Sequence, residues 1–107
     1  MKPAHLRPRA KLDRQEEVRY YRTTAGSQVA KNLVDASRAA LEQLQRHPAM
    51  GSPRIGQLLD IPGLRTWRVV GFPLVWIYFE RADHLDVVRL LGERQDVLSI
   101  LGNEPNA

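Results

Sequence analysis

The sequence predicts an α+β fold in which a pair of N-terminal helices packs on a small antiparallel sheet, joined by an N-terminal strand and followed by a short C-terminal helix. Three observations favour this class. Apolar residues first recur at helical spacing, and after Gly63 they alternate at strand spacing. The stretch 48–63 between the two regions holds three glycines and three prolines, which is typical of a loop.

The first elements are the least strongly marked. Residues 4–7 could form an edge strand, which Pro8 would end because proline cannot donate a ladder hydrogen bond. We expect a helix over residues 10–24, although its apolar stripe is thin and is interrupted by Arg14.

The second helix carries the clearest pattern in the sequence. Gly26 separates it from the first helix, Ser27 is its expected N-cap, and His47-Pro48 ends it. With almost no loop between them, the two helices should form an antiparallel hairpin. Its apolar stripe consists of Ala30, Leu33, Val34, Ser37, Ala40, Leu41 and Leu44.

Residues 48–63 are predicted to be a loop with one turn of structure near Leu58-Leu59. Strands are expected over 64–70, 74–81 and 85–91, and short turns between them indicate an antiparallel meander. A final apolar set over 97–101 predicts a short helix that ends at Gly102.

The middle strand is apolar on both faces, so both faces should be covered. The helical hairpin can cover one face, but the C-terminal helix is too short to cover the other fully. Two explanations therefore stay open: the sheet curls and is closed by the C-terminal segment, or a partner covers the remainder. The two faces consist of Leu74, Trp76 and Tyr78, and of Val75, Ile77 and Phe79.

Composition limits the class of protein. The 107 residues suit a single domain, 1–107, and contain no cysteine, which is compatible with the cytoplasm. No apolar run approaches the roughly 20 residues of a membrane span, and no secretory signal is visible. The net charge is +4, with 11 Lys/Arg against 5 Asp/Glu in residues 1–54. A basic half can attract a nucleic acid or an acidic protein, but small proteins are often basic without such a partner. No metal-ligand spacing is present, so no cofactor is expected.

Short motifs occur along the chain in a definite order: Pro8-Arg9-Ala10 with Asp13, Tyr20-Tyr21 before Ala25-Gly26, Ala30, Leu44 with His47-Pro48, Gly51-Ser52-Pro53, Gly63-Leu64-Arg65, Phe72, Tyr78, Asp86 to Leu91, and Asp96. Each motif alone is unspecific. Together with the predicted order of elements, the set resembles the RelE/ParE toxin superfamily over residues 3 to 101, and its ParE branch best.

The resemblance implies the toxin of a type II toxin–antitoxin system, a class that includes plasmid-stabilisation systems. ParE-type members are described as inhibitors of DNA gyrase that act by binding and need no catalytic residue. It also implies a ParD-like antitoxin as partner in a hetero-oligomer, laying a helix and an extended tail on the toxin. Candidate contacts are the aromatic residues Trp67, Phe72 and Trp76, although either tryptophan could instead pack in the core.

The runner-up is a RelE-like, ribosome-dependent mRNA endoribonuclease. Such chemistry needs a general base together with cations that hold the phosphate. Suitable cations, which are also candidate partner contacts, are Arg65, Arg68, Arg89 and Arg94. A base is hard to find, because Gly92 stands where the family often has histidine. None of the three histidines lies in the last strand, and Tyr78 looks like a core residue.

Two further interpretations stay open. The chain could be an inert relative that is retained only as half of a regulatory complex. The first helix could also bind DNA directly, but a solvated helix face explains its charge better, so direct nucleic-acid binding is not expected. Its cations are Lys11, Arg14, Arg19 and Arg22.

Overall fold

The computed structural model, which describes residues 1–93 and 97–102, has the predicted α+β architecture. Its strands form one mixed sheet in the order β1-β4-β3-β2. The last three strands are antiparallel neighbours, and β1 pairs in parallel with β4. The strands are β1 (Ala4–Leu6), β2 (Leu64–Arg68), β3 (Leu74–Glu80) and β4 (Leu85–Gly92).

The first two helices form the predicted hairpin, and the short C-terminal helix is present as predicted. Among the described residues, no helix is both long and apolar enough to span a bilayer. The helices are α1 (Pro8–Ala25), α2 (Ser27–Arg46), α3 (Arg54–Leu59) and α4 (Val97–Gly102), with a 3-10 turn over Pro48–Met50.

Two predicted boundaries at the start of the hairpin helices are wrong. The first helix begins at Pro8 rather than Ala10, because proline suits the first turn of a helix, where its missing N–H would have no partner. Ser27 is not an N-cap, since it is already the first residue of α2. Gly26 holds the junction with a φ of 98° and accepts the first α2 hydrogen bond, from Ala30, through its carbonyl.

The prediction of a loop over 48–63 with one turn near Leu58-Leu59 is wrong in extent. The turn is present, but it belongs to α3, which begins at Arg54, and the 3-10 turn precedes it. Gly56 lies within α3 because the helix packs directly on β2. A Cβ added there would lie 2.6 Å from the carbonyl oxygen of Leu64. Asp60 ends α3 in the left-handed conformation, with a φ of 55°. The glycine that allows this contact also weakens the helical signal in the sequence.

The main core lies between the helical hairpin and one face of the sheet. Trp76 is fully buried there and donates its indole N–H to the carbonyl of Ser37 in α2, at 3.1 Å. Ser37 is itself buried in the apolar stripe of α2, and its hydroxyl is satisfied by donating to the carbonyl of Val34 at 2.9 Å. The buried members of this core are Ala10, Leu33, Ala40, Leu41, Leu44, Val69, Leu74, Trp76, Tyr78, Leu85, Val87 and Leu90.

A second core covers the opposite face of the sheet. Ile77 and Val88 are fully buried beneath α3 and α4, together with Phe79 and Leu91. Leu101 of α4 is buried against them. Of the two explanations left open for the middle strand, closure within the chain is the one that the structure shows. Helix α4 does not close this face alone, because α3, which was predicted only as a single turn, packs beside it. The apolar residues that α3 and α4 supply are Ile55, Leu59, Val97 and Ile100.

A buried ion pair joins α1 to the edge of β4. Strand β1 pairs only with residues 85–87 of β4, so the edge beyond Val87 needs another hydrogen-bond partner. The Asp13 carboxylate accepts the backbone N–H of Leu90 at 3.0 Å and also holds the Arg89 guanidinium at 2.7 and 3.1 Å. The Asp13 carboxylate thereby supplies a hydrogen-bond acceptor at the β4 edge beyond the end of β1 and anchors α1 on the sheet.

A second carboxylate, Asp86, fastens the N-terminal segment. It accepts two hydrogen bonds from Arg7, at 3.0 and 2.9 Å, and one from Arg81 at 2.9 Å. The Arg7 hydrogen bonds, aided by Arg81, lower the pKa of Asp86 below its ordinary value of 3.8 against the opposing effect of burial. Asp86 should therefore stabilise the fold above this ordinary value, and the contribution should vanish as pH falls through the lowered pKa.

We accordingly predict that Asp86→Asn lowers the free energy of unfolding at pH 7 by about 1–2 kcal/mol, since solvent reaches both guanidinium groups and screens their ion pairs with Asp86. Urea unfolding of both proteins from pH 7 to pH 2 measures this difference. The difference in free energy of unfolding between the two proteins should shrink steadily once the pH drops below the ordinary pKa of aspartate. A difference that stays constant over that range would show that the charge of Asp86 is not the cause.

Candidate partner-binding surface

An open hollow of about 430 Å³ lies at the edge of the sheet, beside β2. Its most exposed apolar residues are Val70, at 78% of its full surface, and Met50, at 40%. Large apolar side chains exposed next to each other are typical of a protein-binding site. We call this region the sheet-edge hollow, and it is lined by Met50, Ser52, Thr66, Trp67, Arg68 and Val70.

Local backbone pairing builds this hollow. Ser52 and Thr66 exchange both backbone hydrogen bonds, at 2.9 and 3.0 Å, which holds the segment after the 3-10 turn against the outer edge of β2. Trp67 is half-buried, packs on the main core and donates its indole N–H to Gln43 of α2 at 3.3 Å. A tryptophan held in this way presents a pre-ordered apolar surface, which reduces the entropy that binding costs.

Of the residues predicted as partner contacts, Trp67 and Arg68 line the hollow. Arg68 has a side chain that is 70% exposed and forms an ion pair with Glu93 at 2.7 Å. Arg65 lies nearby but donates to the carbonyl of Gly51 at 2.6 Å, so it supports the wall of the hollow. Phe72 lies elsewhere, in the β2–β3 turn, with its ring edge-on to Tyr21 of α1.

Two of the residues predicted as partner contacts are buried in the structure. Trp76 is fully buried in the main core, and Arg89 is only 9% exposed and is held by Asp13. Both fail as contact candidates because residue type alone does not reveal which way a strand side chain faces. The remaining candidate, Arg94, lies outside the described residues.

Met50 and Val70 were not predicted as contacts. Val70 could have been found, because it is an apolar residue directly before the Gly71 turn, where the pairing of β2 has already ended. Met50 lies in the glycine- and proline-rich stretch, and long-range hydrogen bonds such as the Ser52–Thr66 pairing bring it to β2. That long-range pairing leaves no local signal in the sequence.

The family model described as the ParE toxin of type II toxin-antitoxin system, parDE, matches residues 4–97. The chain belongs to the ParE toxin family. A solved chain described as "Chromosomal ParDE TA system from P. aeruginosa" is 18% identical, with a TM-score of 0.72, and the match covers 86% of this chain and 96% of that chain. This likeness confirms the predicted fold, whereas no curated protein matches.

In this ParE-type toxin, some of the groups that the ribonuclease alternative would use are engaged within the fold. The Tyr78 hydroxyl is buried, donating to the carbonyl of Pro48 at 2.6 Å and accepting the N–H of Gly51 at 3.0 Å. Burial is the main cause that raises the pKa of Tyr78. His5 and His84 stack on each other, with ring centroids 4.8 Å apart, where β1 meets β4.

The Tyr78 hydroxyl therefore has a structural role that can be measured. We predict that Tyr78→Phe lowers the free energy of unfolding by about 1–3 kcal/mol, because it leaves the Gly51 N–H and the Pro48 carbonyl without their partner. Tyr20→Phe is the matched control, since the Tyr20 side chain is 58% exposed, and it should change stability by less than about 0.5 kcal/mol. Equal effects of the two changes in chemical denaturation would contradict this role.

Proposed function

We propose that this ParE-type toxin inhibits DNA gyrase by binding to it in the cytoplasm, and that a ParD-like antitoxin neutralises the toxin. The observation that carries the proposal is the sheet-edge hollow, an exposed and mainly apolar surface around Trp67. Inhibition by binding requires such a surface and requires no reacting group of the toxin itself.

The chemistry of the hollow suits a protein partner. The half-buried indole of Trp67 can act as an anchor, and the exposed side chains of Met50 and Val70 extend the apolar surface beside it. Arg68 and Glu93 supply a polar rim, where contacts contribute to orientation more than to affinity.

The engaged state of the candidate nuclease groups supports binding over cleavage. Arg89 is held by Asp13, Arg65 is bonded to a backbone carbonyl, and Tyr78 is enclosed by Pro48 and Gly51. Neither Arg89 nor Tyr78 could hold a phosphate or move a proton without first breaking a native hydrogen bond, and Arg65 already uses one of its donors within the fold. An RNA substrate would therefore have to compete with the fold itself.

Two observations support an antitoxin partner. The chain belongs to a family whose description names parDE, and its fold is similar to that of a chain from a ParDE system. We infer that a ParD-like protein covers the sheet-edge hollow and so prevents gyrase from reaching it. A helix laid on a groove, continued by an extended tail, is a common way for such a partner to bind.

Expression of the toxin alone, followed by two readouts, tests the proposal. Gyrase poisoning should cause filamentous growth and a DNA-damage response while protein synthesis continues. Immediate arrest of translation would instead support the ribonuclease, and normal growth would support an inert relative. Repeating the expression in cells with a toxin-resistant gyrase should restore growth, and persistent inhibition there would overturn the gyrase assignment.

A further inference from the structure

The chain between α2 and α3 passes along the outer edge of β2 and forms one wall of the sheet-edge hollow. We call residues 48–52 the strap. Its Met50 side chain is 40% exposed and lines the hollow together with Ser52. The position of this apolar wall therefore depends on how the strap is held against the sheet.

Hydrogen bonds, rather than apolar packing, hold the strap. All of its residues are described, and among them only Gly51 is buried, a residue with no side chain to pack. Of the described residues in the two apolar cores, none belongs to the strap. A Cβ at Gly51 would lie 2.7 Å from a ring carbon of Tyr78 and 2.9 Å from the carbonyl oxygen of Thr66. The strap backbone thus rests directly on the sheet.

Two neighbouring side chains of the sheet hold both polar groups of Gly51. Arg65 and Tyr78 are paired across β2 and β3. The Tyr78 hydroxyl accepts the Gly51 N–H at 3.0 Å, and the Arg65 guanidinium donates to the Gly51 carbonyl at 2.6 Å. The bond from Arg65 is the charge-assisted one, and such bonds are roughly twice as strong as bonds between neutral groups.

We propose that Arg65 is a positioning residue for the partner-binding surface: by holding the Gly51 carbonyl, it fixes the strap and keeps Met50 in the wall of the hollow. Without the guanidinium, the carbonyl of this buried residue loses its donor and regains one only if the strap moves out toward water. The partner would then have to order Met50 at an entropic cost, which lowers affinity. The effect on gyrase rests on the proposed function, whereas the attachment of the strap is measurable on the toxin alone.

Amide hydrogen exchange on the purified full-length toxin tests the attachment. Arg65→Met keeps the aliphatic part of the side chain and removes its donors. Arg54→Met is the matched control, because Arg54 is exposed and forms no ion pair within the described part of the chain. In Arg65→Met, the amides of Gly51 and Ser52 should exchange at least about tenfold faster. The amide of Trp76, in the inner strand β3, should stay as protected as in the native toxin, and Arg54→Met should change neither region.

Binding of purified gyrase to the same toxins tests the consequence for the partner. Met50→Ala should lower the affinity for gyrase about tenfold, and Arg65→Met should lower it by a similar factor. Because Arg65 acts through Met50, adding Arg65→Met to Met50→Ala should cost less than about a further twofold. Arg68→Met is the contrasting control, since Arg68 lines the hollow itself and its loss of affinity should persist in the Met50→Ala toxin.

The positioning role of Arg65 is overturned if the Gly51 and Ser52 amides exchange in Arg65→Met as slowly as in the native toxin. It is also overturned if the native toxin binds gyrase and either single change leaves that affinity unaltered. Losses that add in full would make Arg65 a direct contact and would overturn the role as well. If exchange accelerates as expected but the native toxin does not bind gyrase, the gyrase assignment fails while the attachment of the strap by Arg65 stands.

Discussion

Replacement of Asp13 with alanine is expected to lower the free energy of unfolding by about 3–5 kcal/mol. Asp13 and Arg89 are 5% and 9% exposed, so the variant would bury a guanidinium that has lost its carboxylate. The backbone N–H of Leu90 would lose its acceptor at the same time. Because the total stability of a domain of this size is of the order of 5–15 kcal/mol, the variant should be close to unfolding at growth temperature.

Denaturant unfolding monitored by tryptophan fluorescence measures this effect. Glu16→Ala is the matched control, because Glu16 lies on the same helix with a side chain that is 50% exposed, and it should change stability by less than about 0.5 kcal/mol. The double change Asp13→Leu with Arg89→Met should recover most of the loss, since apolar residues can replace a buried ion pair. A loss below about 1 kcal/mol in Asp13→Ala would show that the ion pair does not hold α1 on the sheet.

Val70→Asp is expected to reduce affinity for a protein partner by a hundredfold or more while leaving the fold intact. The Val70 side chain is 78% exposed, so an aspartate there causes no burial in the free toxin. In a complex, however, the carboxylate would be desolvated against the indole of Trp67. The combined loss of contact and desolvation should reach about 3 kcal/mol.

Leu58→Asp provides the matched control for Val70→Asp, because Leu58 is also an exposed apolar residue, at 63%, but lies on α3 away from the hollow. Both variants should unfold like the native toxin. Only Val70→Asp should fail to inhibit growth and fail to retain a co-expressed antitoxin in a pull-down. If Leu58→Asp is equally inactive, or Val70→Asp is fully toxic, the hollow is not the binding surface.

Much of the fold could be predicted because the strongest patterns lie in elements that bury one continuous stripe or face. The stripe of α2 and the alternation of β3 and β4 are such patterns, and the structure confirms them. Helix α3 could be predicted only as one turn near Leu58-Leu59, since Gly56 weakens its helical pattern and the helix depends on contacts with β2 and α4. Without the full length of α3, the sequence could not decide whether the chain itself or a partner covers the far face of the sheet.

The candidate surface was only partly predictable for a related reason. Trp67 and Trp76 are direct partners across β2 and β3, yet one is half-buried at the edge strand and the other is completely enclosed. Strand order decides this difference, and strand order is a property of the whole sheet. Likewise, the sequence contains no sign that Asp13 neutralises Arg89, because 76 positions separate the two residues.

DNA cleavage by purified gyrase in the presence of this toxin is the most direct measurement of how the protein acts. With native toxin, cleaved DNA that remains covalently bound to gyrase should accumulate, and with Val70→Asp it should stay at the level of gyrase alone. Leu58→Asp should behave as the native toxin does. Gyrase inhibition through the sheet-edge hollow is contradicted if native toxin leaves gyrase unaffected, or if Val70→Asp causes as much cleavage as the native protein.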